Sequence, residues 1–220
     1  MRLRARAILG VCLALVIAGA AAEVSFLPRP VPKPAAPLKD SGPRVMAQVE
    51  LEGLLARAAR SLEPELRSRL AEAVLLESAR AGYDPLFVLA LVSVESRFRL
   101  TVSSDRGASG LMQLKPSTFA WISAREPDVG GDDYATGEDP VVDVRLAIRY
   151  FRWLERRFRS RDEALMAYNA GPKRLKQYKR ADEIPDSLRA YPRKIRREYE
   201  RLVKMAAGER DPRLVLARAN

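Results

Sequence analysis

Residues 84–114 read DPLFVLALVSVESRFRLTVSSDRGASGLMQL, and this stretch decides the fold that the sequence predicts. It opens with Asp84 and Pro85, which suit a helix start because the carboxylate caps free N–H groups and proline has none to satisfy. The run 86–94 is apolar on nearly every side, which is typical of a helix buried inside a domain. It is too short to span a bilayer. We therefore predict a central buried helix that carries Glu95 at its end.

Glu95 is the first carboxylate after this apolar run. An ionised carboxylate without a partner is costly in apolar surroundings, so its pKa rises and the group can hold a proton near neutral pH. Such a group can act as a general acid. The simpler interpretation is an exposed helix end where Glu95 pairs with Arg97 or Arg99, and helix chemistry alone favours it. The rest of the sequence has to decide between the two.

The first 43 residues differ in character from the rest of the 220-residue chain. Residues 1–22 place three arginines before an apolar core and small residues, the layout of a secretory signal peptide, with an uncleaved membrane anchor as the alternative. Residues 23–43 are rich in proline without helical or strand periodicity, so we expect an extended linker. Cys12, the single cysteine, lies in the predicted signal. A mature chain without thiols fits a periplasmic or cell-envelope location.

The composition excludes several kinds of site. The chain has no histidine, which removes Ser-His-Asp and Cys-His nucleophile systems and histidine zinc sites. No cluster of metal ligands is visible in the sequence, and we expect neither a metal nor a cofactor. The formal net charge of +11 favours an anionic partner. For an exported chain we expect an anionic wall polymer or a membrane surface and not nucleic acid, although ordinary solvated helix surface explains most of the individual arginines.

Helical spacing of apolar residues continues on both sides of the central stretch. Residues 125–140, rich in Asp, Gly and Pro, are predicted to form a loop. The fold class is therefore mainly α, in one domain over 44–207 that is followed by a tail over 208–220. The region 110–114 is predicted to be a short extended segment. The predicted helices cover 44–62, 64–82, 84–95, a stretch from 116, 143–158, 162–170 with Asp162 as its cap, 173–180 and 186–207.

Three short motifs follow one another along the chain: 95–98 (ESRF), 107–114 (GASGLMQL) and 167–172 (AYNAGP). Together with a tyrosine motif at 191–195 (YPRKI), they resemble the catalytic domain of the soluble (family 1) lytic transglycosylases, over about residues 68–203. The resemblance implies a lysozyme-like helical domain with a short extended segment beside an active-site groove. It also reverses the interpretation of Glu95, because the ordered set of motifs is far more specific than any one of them.

The resemblance implies a role for each matching residue. Glu95 matches the family's sole catalytic acid, and Tyr191 matches a tyrosine that reaches the catalytic carboxyl. Gln113 can hydrogen-bond substrate amide or hydroxyl groups, since its side chain both donates and accepts. Leu111 and Met112 equally fit a hydrophobic core, and the tyrosines and the asparagine also fit packing or backbone bonding. The residues implied to bind substrate are Ser103, Gly110, Leu111, Met112, Gln113, Tyr168, Asn169 and Tyr191.

The implied reaction is cleavage of the β-1,4 bond between N-acetylmuramic acid and N-acetylglucosamine in peptidoglycan glycan strands, by a monomer. Protonated Glu95 gives its proton to the glycosidic oxygen, and the substrate's acetamido group stabilises the cationic sugar. Ionised Glu95 then takes the C6 hydroxyl proton as a 1,6-anhydro ring closes. Two alternatives stay open. A hydrolytic muramidase would need a second carboxylate, for which Asp105 is the nearest candidate, and a non-catalytic peptidoglycan-binding module would need no acid.

Several positions depart from the family's pattern. Lys115 stands where many relatives have an apolar residue, and Asp143 and Ala147 replace the usual Asn and Gly. Pro192 directly follows Tyr191. Because a residue before proline is biased toward extended backbone, we expect extended geometry at Tyr191. None of these departures removes the predicted acid.

Overall fold

The structure, a computed structural model, describes residues 46–105, 107–129 and 138–209. The signal peptide and linker predicted over 1–43, and the predicted tail beyond residue 209, lie outside the described residues. None of the helices in the described ranges combines the length and the apolar character needed to cross a membrane. The helices of the described part are α1 Gln48–Ala58, α2 Pro64–Ala81, α3 Pro85–Ser96, α4 Pro116–Ser123, α5 Pro140–Glu155, α6 Arg161–Ala170, α7 Pro172–Ala181 and α8 Asp186–Glu209.

The predicted central helix is α3, and it is buried over nearly its whole length. The Asp84 carboxylate accepts a hydrogen bond from the Leu86 N–H at 2.9 Å, and Pro85 is the first helical residue. Helices α8 and α2 pack against α3 and help to bury its apolar residues. Each fully buried leucine or phenylalanine contributes about 1.5–3 kcal/mol to folding. The buried residues of α3 are Pro85, Leu86, Phe87, Val88, Leu89, Ala90, Leu91, Val92 and Ser96.

Helix α5 is the second central element and packs against α2, α4 and α6. Two of its arginines, Arg145 and Arg149, belong to a charged network that we call the Glu77 cluster. The other members of the cluster are Glu77, Glu126 and Asp128. Glu77 of α2 is 2% exposed and accepts hydrogen bonds from Nε of Arg145 at 3.1 Å and from Nε and Nη2 of Arg149 at 3.1 and 3.0 Å. Arg149 also donates to Glu126 at 2.6 Å and to Asp128 at 2.8 Å. The cluster joins α2, α5 and the loop after α4.

Helix α1 begins at Gln48 and not at the predicted residue 44. The starts of α5 and α6 also differ from the sequence prediction. Helix α5 begins three residues before the predicted Asp143, because Asp139 accepts hydrogen bonds from two N–H groups of the first turn at 2.7 and 3.4 Å. Helix α6 is capped by Ser160, whose hydroxyl accepts from the Glu163 N–H at 3.2 Å, and Asp162 lies inside the first turn. In both places another residue that can cap a helix stands a few positions before the predicted one. The local sequence alone does not show which of the two residues is the cap.

The extended segment predicted over 110–114 is not a strand. Two isolated antiparallel bridges, Ser103 to Ser109 and Ser109 to Leu114, are the strand-like pairings found in the described part of the chain. Residues 110–113 form a turn, because two of the four have positive φ and an extended chain cannot continue through them.

Tyr191 is helical, so the expectation that Pro192 holds it in extended geometry is wrong. Pro192 lies inside α8, where a proline removes one backbone hydrogen bond and disfavours helix at the preceding residue. Leu188 and Tyr191 are each 5% exposed, and Ile195 is 0% exposed. The burial of these three side chains offsets the local cost, so tertiary packing decides the backbone here.

Candidate active site

Glu95 lies in the last turn of α3, where the backbone leaves the helix abruptly. Arg97 and Phe98 both have left-handed backbone, with φ of 54° and 59°, which is unfavourable for residues with a side chain. Phe98 is 2% exposed, so its burial holds this turn in place. The Arg97 N–H donates to the Ser93 carbonyl at 2.9 Å and closes the helix. Glu95 is thereby held at the boundary between the core and the surface.

The Glu95 carboxyl lacks a cationic partner within the described residues. Its hydrogen-bond partner is Tyr191 of α8, whose hydroxyl donates to Oε1. Burial raises the pKa of Glu95 from 4.5 to about 7, and the hydrogen bond from Tyr191 opposes this rise by a smaller amount. The Arg99 side chain donates instead to the Ser96 carbonyl at 3.1 Å. The geometry therefore favours a protonated acid over a surface ion pair at this helix end.

The turn after α3 is shaped by two glycines. Gly107 and Gly110 have φ of 74° and 76°, which glycine adopts without a steric penalty. Gln113 also has positive φ, 48°, and its side-chain nitrogen donates to the carbonyls of Val102 at 2.8 Å and of Gly110 at 2.9 Å. Both amide hydrogens are thus used within the turn. The side-chain carbonyl of Gln113 is the part that can accept a hydrogen bond from a ligand.

Tyr168 connects α6 to this turn. Its hydroxyl donates to the Met112 carbonyl at 2.8 Å. Burial raises the pKa of Tyr168 well above its ordinary value, and the nearby ionisable groups of Glu95, Tyr150 and Asp143 raise it further. Tyr168 therefore keeps its proton and remains a donor at neutral pH.

Two cavities meet at Glu95. The first cavity, about 310 Å³, is lined by residues between 104 and 118, by α5 and by the junction of α6 and α7. The second cavity, about 730 Å³, is lined by the ends of α1 and α3 and by α8. Glu95 and Asn169 line both cavities, so the acid lies where the two adjoin, and we call the two cavities together the groove. A groove of this shape suits a chain-like ligand that passes across the acid.

Five of the residues singled out from the sequence line this groove. The first cavity brings together Glu95, Gln113, Tyr168 and Asn169. Tyr191 lines the second cavity beside Glu95. These side chains come from α3, the following turn, α6 and α8, which shows that the ordered motifs converge in space.

The other four predicted residues line neither cavity. Leu111 and Met112 are 1% and 0% exposed, so their side chains belong to the core, as the structural alternative for them predicted. Gly110 shapes the turn through its positive φ. Ser103 is exposed, and its neighbour Ser104 lines the first cavity instead. A substrate contact by these four residues stays a prediction.

Other groups in the groove were not singled out from the sequence. Tyr150 of α5 lines the first cavity, and burial raises its pKa to about 12. Thr118 and Arg174 line the same cavity. The helical spacing of α5 could have indicated Tyr150, since it lies three residues after the inward-facing Ala147. The charged residues that α8 contributes to the second cavity have no such signal, because a basic helix looks like ordinary solvated surface.

The departures from the family pattern fall in different places. Lys115 lines the first cavity and adds a cation to it. Asp143 and Ala147 are 1% and 0% exposed and line neither cavity.

Asp105, the candidate second carboxylate, is exposed and lines neither cavity. Within 46–105, 107–129 and 138–209, no group of three or more His, Cys, Asp or Glu side chains is arranged to hold a metal ion.

The described part of the chain is mainly helical and has the lysozyme-like fold of the lytic transglycosylases. Residues 73–188 match the family described as Transglycosylase SLT domain, and the chain belongs to that family. The resemblance inferred from the motifs is therefore confirmed for the family and for the fold class.

Two solved structures share this fold. One is an inactive mutant of the lytic transglycosylase Slt from Pseudomonas aeruginosa, with a TM-score of 0.51 and 25% identity over 71% of this chain and 30% of that chain. The other is the 70 kDa soluble lytic transglycosylase from Escherichia coli, with a TM-score of 0.50 and 21% identity over 71% of this chain and 28% of that chain. At 21% identity the second structure shows the fold alone. This chain spans less than a third of the length of either protein.

Proposed function

We propose that this domain is a peptidoglycan lytic transglycosylase that cleaves the β-1,4 bond between N-acetylmuramic acid and N-acetylglucosamine and leaves 1,6-anhydromuramic acid ends. One observation carries the proposal: the Glu95 carboxyl, whose pKa burial raises to about 7, lines both cavities of the groove. Membership in the Transglycosylase SLT domain family supports the same activity.

In the first step Glu95 acts as a general acid. With a pKa of about 7, a large fraction of the carboxyl is protonated at neutral pH and can give its proton to the glycosidic oxygen as the bond to C1 breaks. The Tyr191 hydroxyl orients the carboxyl and stabilises the carboxylate that remains. The acetamido group of the substrate stabilises the cationic sugar, so this step needs no second carboxylate.

In the second step the same group acts as a general base. Ionised Glu95 accepts the proton of the C6 hydroxyl while O6 bonds to C1 and closes the anhydro ring. Glu95 is thereby returned to its protonated form, and no water is consumed. The polar groups of the first cavity, among them Gln113, Asn169 and Tyr150, are available to bind sugar hydroxyl and acetamido groups.

A hydrolytic muramidase is the other enzyme that could act on this bond, and it needs a base to activate water. The exposed position of Asp105, outside both cavities, disfavours it as that base. Glu198 lines the second cavity together with Glu95. Its oxygens accept hydrogen bonds from the Ser93 hydroxyl at 2.6 Å and from Arg201 at 2.7 and 2.9 Å. Because Glu198 is held in these pairs, the transglycosylase reaction is favoured.

Digestion of purified peptidoglycan sacculi tests the proposal, with wild type beside Glu95→Gln and with the exposed Glu72→Gln as the matched control. We expect wild type and the control to release fragments with anhydro ends, each lighter by one water than a fragment with a reducing end. Mass spectrometry distinguishes the two products. Reducing ends would identify a hydrolase, and wild type that binds sacculi without releasing fragments would identify a binding module. Undiminished release by Glu95→Gln would remove Glu95 as the acid.

We further propose that residues 1–22 direct export and that the chain acts as a monomer on glycan strands in the periplasm or cell envelope. Removal of residues 1–22 takes away three of the 39 basic residues and none of the 28 acidic ones, and the remaining net charge of +8 supports proximity to a membrane or to an anionic wall polymer. N-terminal sequencing of the exported protein tests the signal. Cleavage near Ala20 or Ala22 is expected, whereas a membrane-bound form that keeps residues 1–22 would identify an anchor.

A further inference from the structure

A third cavity, of about 470 Å³, lies at the other end of α3 from the acid. It is lined by the end of α2, by α5 and by the loop after α4, and it shares no lining residue with the groove. The end of α2 leads through a short turn into the start of α3, whereas Glu95 lies in the last turn of α3. At about 1.5 Å of rise per residue, roughly 15 Å of helix separates Pro85 from Glu95. The proposed reaction therefore makes no use of this cavity.

The charged side chains of the third cavity are arginines and carboxylates. Its three carboxylates belong to the Glu77 cluster, and all of them accept hydrogen bonds from Arg149, at distances between 2.6 and 3.1 Å. Arg80 lies farther away, 3.5 Å from Glu77 and 3.9 Å from Asp128. One arginine thus binds most of the negative charge of the lining. The arginines of the lining are Arg80, Arg149, Arg152 and Arg156.

Two of these arginines, Arg152 and Arg156, pair with no carboxylate within the described ranges, and both are exposed. Nη1 of Arg152 donates to the carbonyl of Ala81, so this side chain is held across the gap between α5 and α2. A guanidinium has five N–H donors, and four of them remain on Arg152. Arg156 follows at helical spacing, about 6 Å further along α5. The two cations therefore lie on one side of α5 and line the same cavity.

The donors that remain in the third cavity suit a phosphate group. Guanidinium groups form paired, charge-assisted hydrogen bonds with phosphate and with carboxylate, and they keep their charge at any ordinary pH. A phosphate group offers three or more acceptor oxygens, so it can accept from two arginines at once, whereas a carboxylate has only two oxygens. The dipole of α5 also favours cations at its C-terminal end, but it does not require them to line one cavity.

We propose that the third cavity is a phosphate-binding site in which Arg152 and Arg156 hold the anion and Arg80 adds a third cation to the lining. Two sources can supply the group, a soluble phosphate and the headgroup of an anionic phospholipid. The inference does not rest on the proposed function, because the cavity and the groove have no residue in common.

Titration calorimetry of the full chain with sodium phosphate tests the site, at constant ionic strength so that general screening does not change. Sodium acetate is the comparison. Wild type is expected to bind phosphate saturably and at least roughly tenfold more tightly than acetate, because phosphate has acceptor oxygens for both arginines.

The double variant Arg152→Gln/Arg156→Gln is expected to bind phosphate roughly tenfold more weakly than wild type. The matched control is Arg180→Gln/Arg193→Gln, which removes the same charge from exposed positions outside all three cavities and keeps wild-type binding. Arg156→Gln alone keeps the test valid if the loss of the Arg152 bond to Ala81 disturbs the end of α2. This single variant should weaken binding by about threefold.

Vesicles of phosphatidylglycerol distinguish the two sources. If the source is a lipid headgroup, the variant Arg152→Gln/Arg156→Gln sediments with these vesicles less than the matched control does, although both have lost two charges. If the source is a soluble phosphate, the two double variants sediment alike and differ only in the calorimetric titration. The inference is overturned if neither probe distinguishes the two double variants. It is also overturned if acetate binds wild type saturably and as tightly as phosphate.

Discussion

The surroundings of two carboxylates, the buried Glu77 and the half-buried Glu95, differ sharply. Glu77 is 2% exposed and accepts hydrogen bonds from the guanidinium groups of Arg145 and Arg149. Glu95 has the Tyr191 hydroxyl as its partner and the apolar helix α3 behind it, and burial raises the pKa of Glu95 to about 7. The comparison separates a carboxylate that is bound to two guanidinium groups from one that has a hydroxyl as its partner and an apolar helix behind it.

The difference also separates two tasks within one domain. The ion pairs of the Glu77 cluster join α2, α5 and the loop after α4, so these charged side chains stabilise the fold. The region around Glu95 leaves its carboxyl uncompensated and opens to a groove. Each prediction below changes one side of this comparison.

The largest effect is expected on turnover. Glu95→Gln should lower the rate of fragment release by about 10³-fold, because an amide of the same shape cannot transfer the proton and general acid catalysis contributes roughly 10²–10⁴-fold. Glu77→Gln should leave the turnover of folded protein unchanged. Rates per folded molecule, measured on the same sacculi, check both. An equal loss in the two variants would show that the regions do not have separate tasks.

The second effect concerns folding. Glu77→Gln should lower the free energy of unfolding by roughly 3 kcal/mol, because it leaves Arg145 and Arg149 without their buried counter-charge. Urea unfolding at pH 7 measures this loss. The control is Glu72→Gln, an exposed glutamate on the same helix, for which a change within about 0.5 kcal/mol is expected. A loss at Glu77 no larger than that of the control would contradict the scaffold role.

The third effect is a gain in stability, in contrast to the loss expected for Glu77→Gln. The pKa of Glu95 rises from 4.5 to about 7 on folding, so the folded protein holds this proton more tightly than the unfolded chain does. Stability from this group is complete below pH 4.5 and is lost as the pH rises through 7. Glu95→Gln should therefore be more stable than wild type at pH 8, by about 2–3 kcal/mol, and equally stable at pH 4. Urea unfolding at the two pH values checks this, and an equal difference at both would contradict it.

The smallest effect is a shift of the pH profile of activity, which is expected for one of two tyrosines on α8 and not for the other. Wild-type activity should fall as the pH rises through about 7, because Glu95 loses its proton. The Tyr191 hydrogen bond lowers the pKa of Glu95, so Tyr191→Phe should move this fall to higher pH. Tyr199→Phe removes a hydroxyl that donates to Asp84 at 2.7 Å and should leave the pH profile unchanged. Each variant should lose about 1 kcal/mol of stability. A shift of the pH profile in both variants, or in neither, would exclude a specific effect of Tyr191 on Glu95.

Local signals explain why much of the fold could be predicted from the sequence. Asp84 and Pro85 start α3, and Gly82, with φ of 73°, ends α2 as its left-handed cap. Where two caps compete within a few residues, as at Ser160 and Asp162, the local signal does not decide the start. The turn at 110–113 differs from the predicted extended segment, because the amino-acid composition gives no sign of the positive φ at Gln113.

The candidate site depended more on distant contacts. The apolar run before Glu95 predicted a perturbed acid, but its contact with Tyr191 joins residues 96 positions apart in the chain. The family resemblance supplied that pair, and helical periodicity could not. The cations of the second cavity were not predicted, because Lys194 and Arg197 have the same appearance in a sequence whether they face a groove or open solvent.

The central claim is that Glu95 holds a proton at neutral pH. The most direct measurement is a pH titration of the side-chain carboxyl by ¹³C NMR, in protein labelled at the glutamate carboxyl carbons. The signal of Glu95 is assigned by its absence from the spectrum of Glu95→Gln. The titration midpoint should lie near pH 7. A midpoint near 4.5, the ordinary value, would contradict the account, because the group would then have no proton to give at neutral pH.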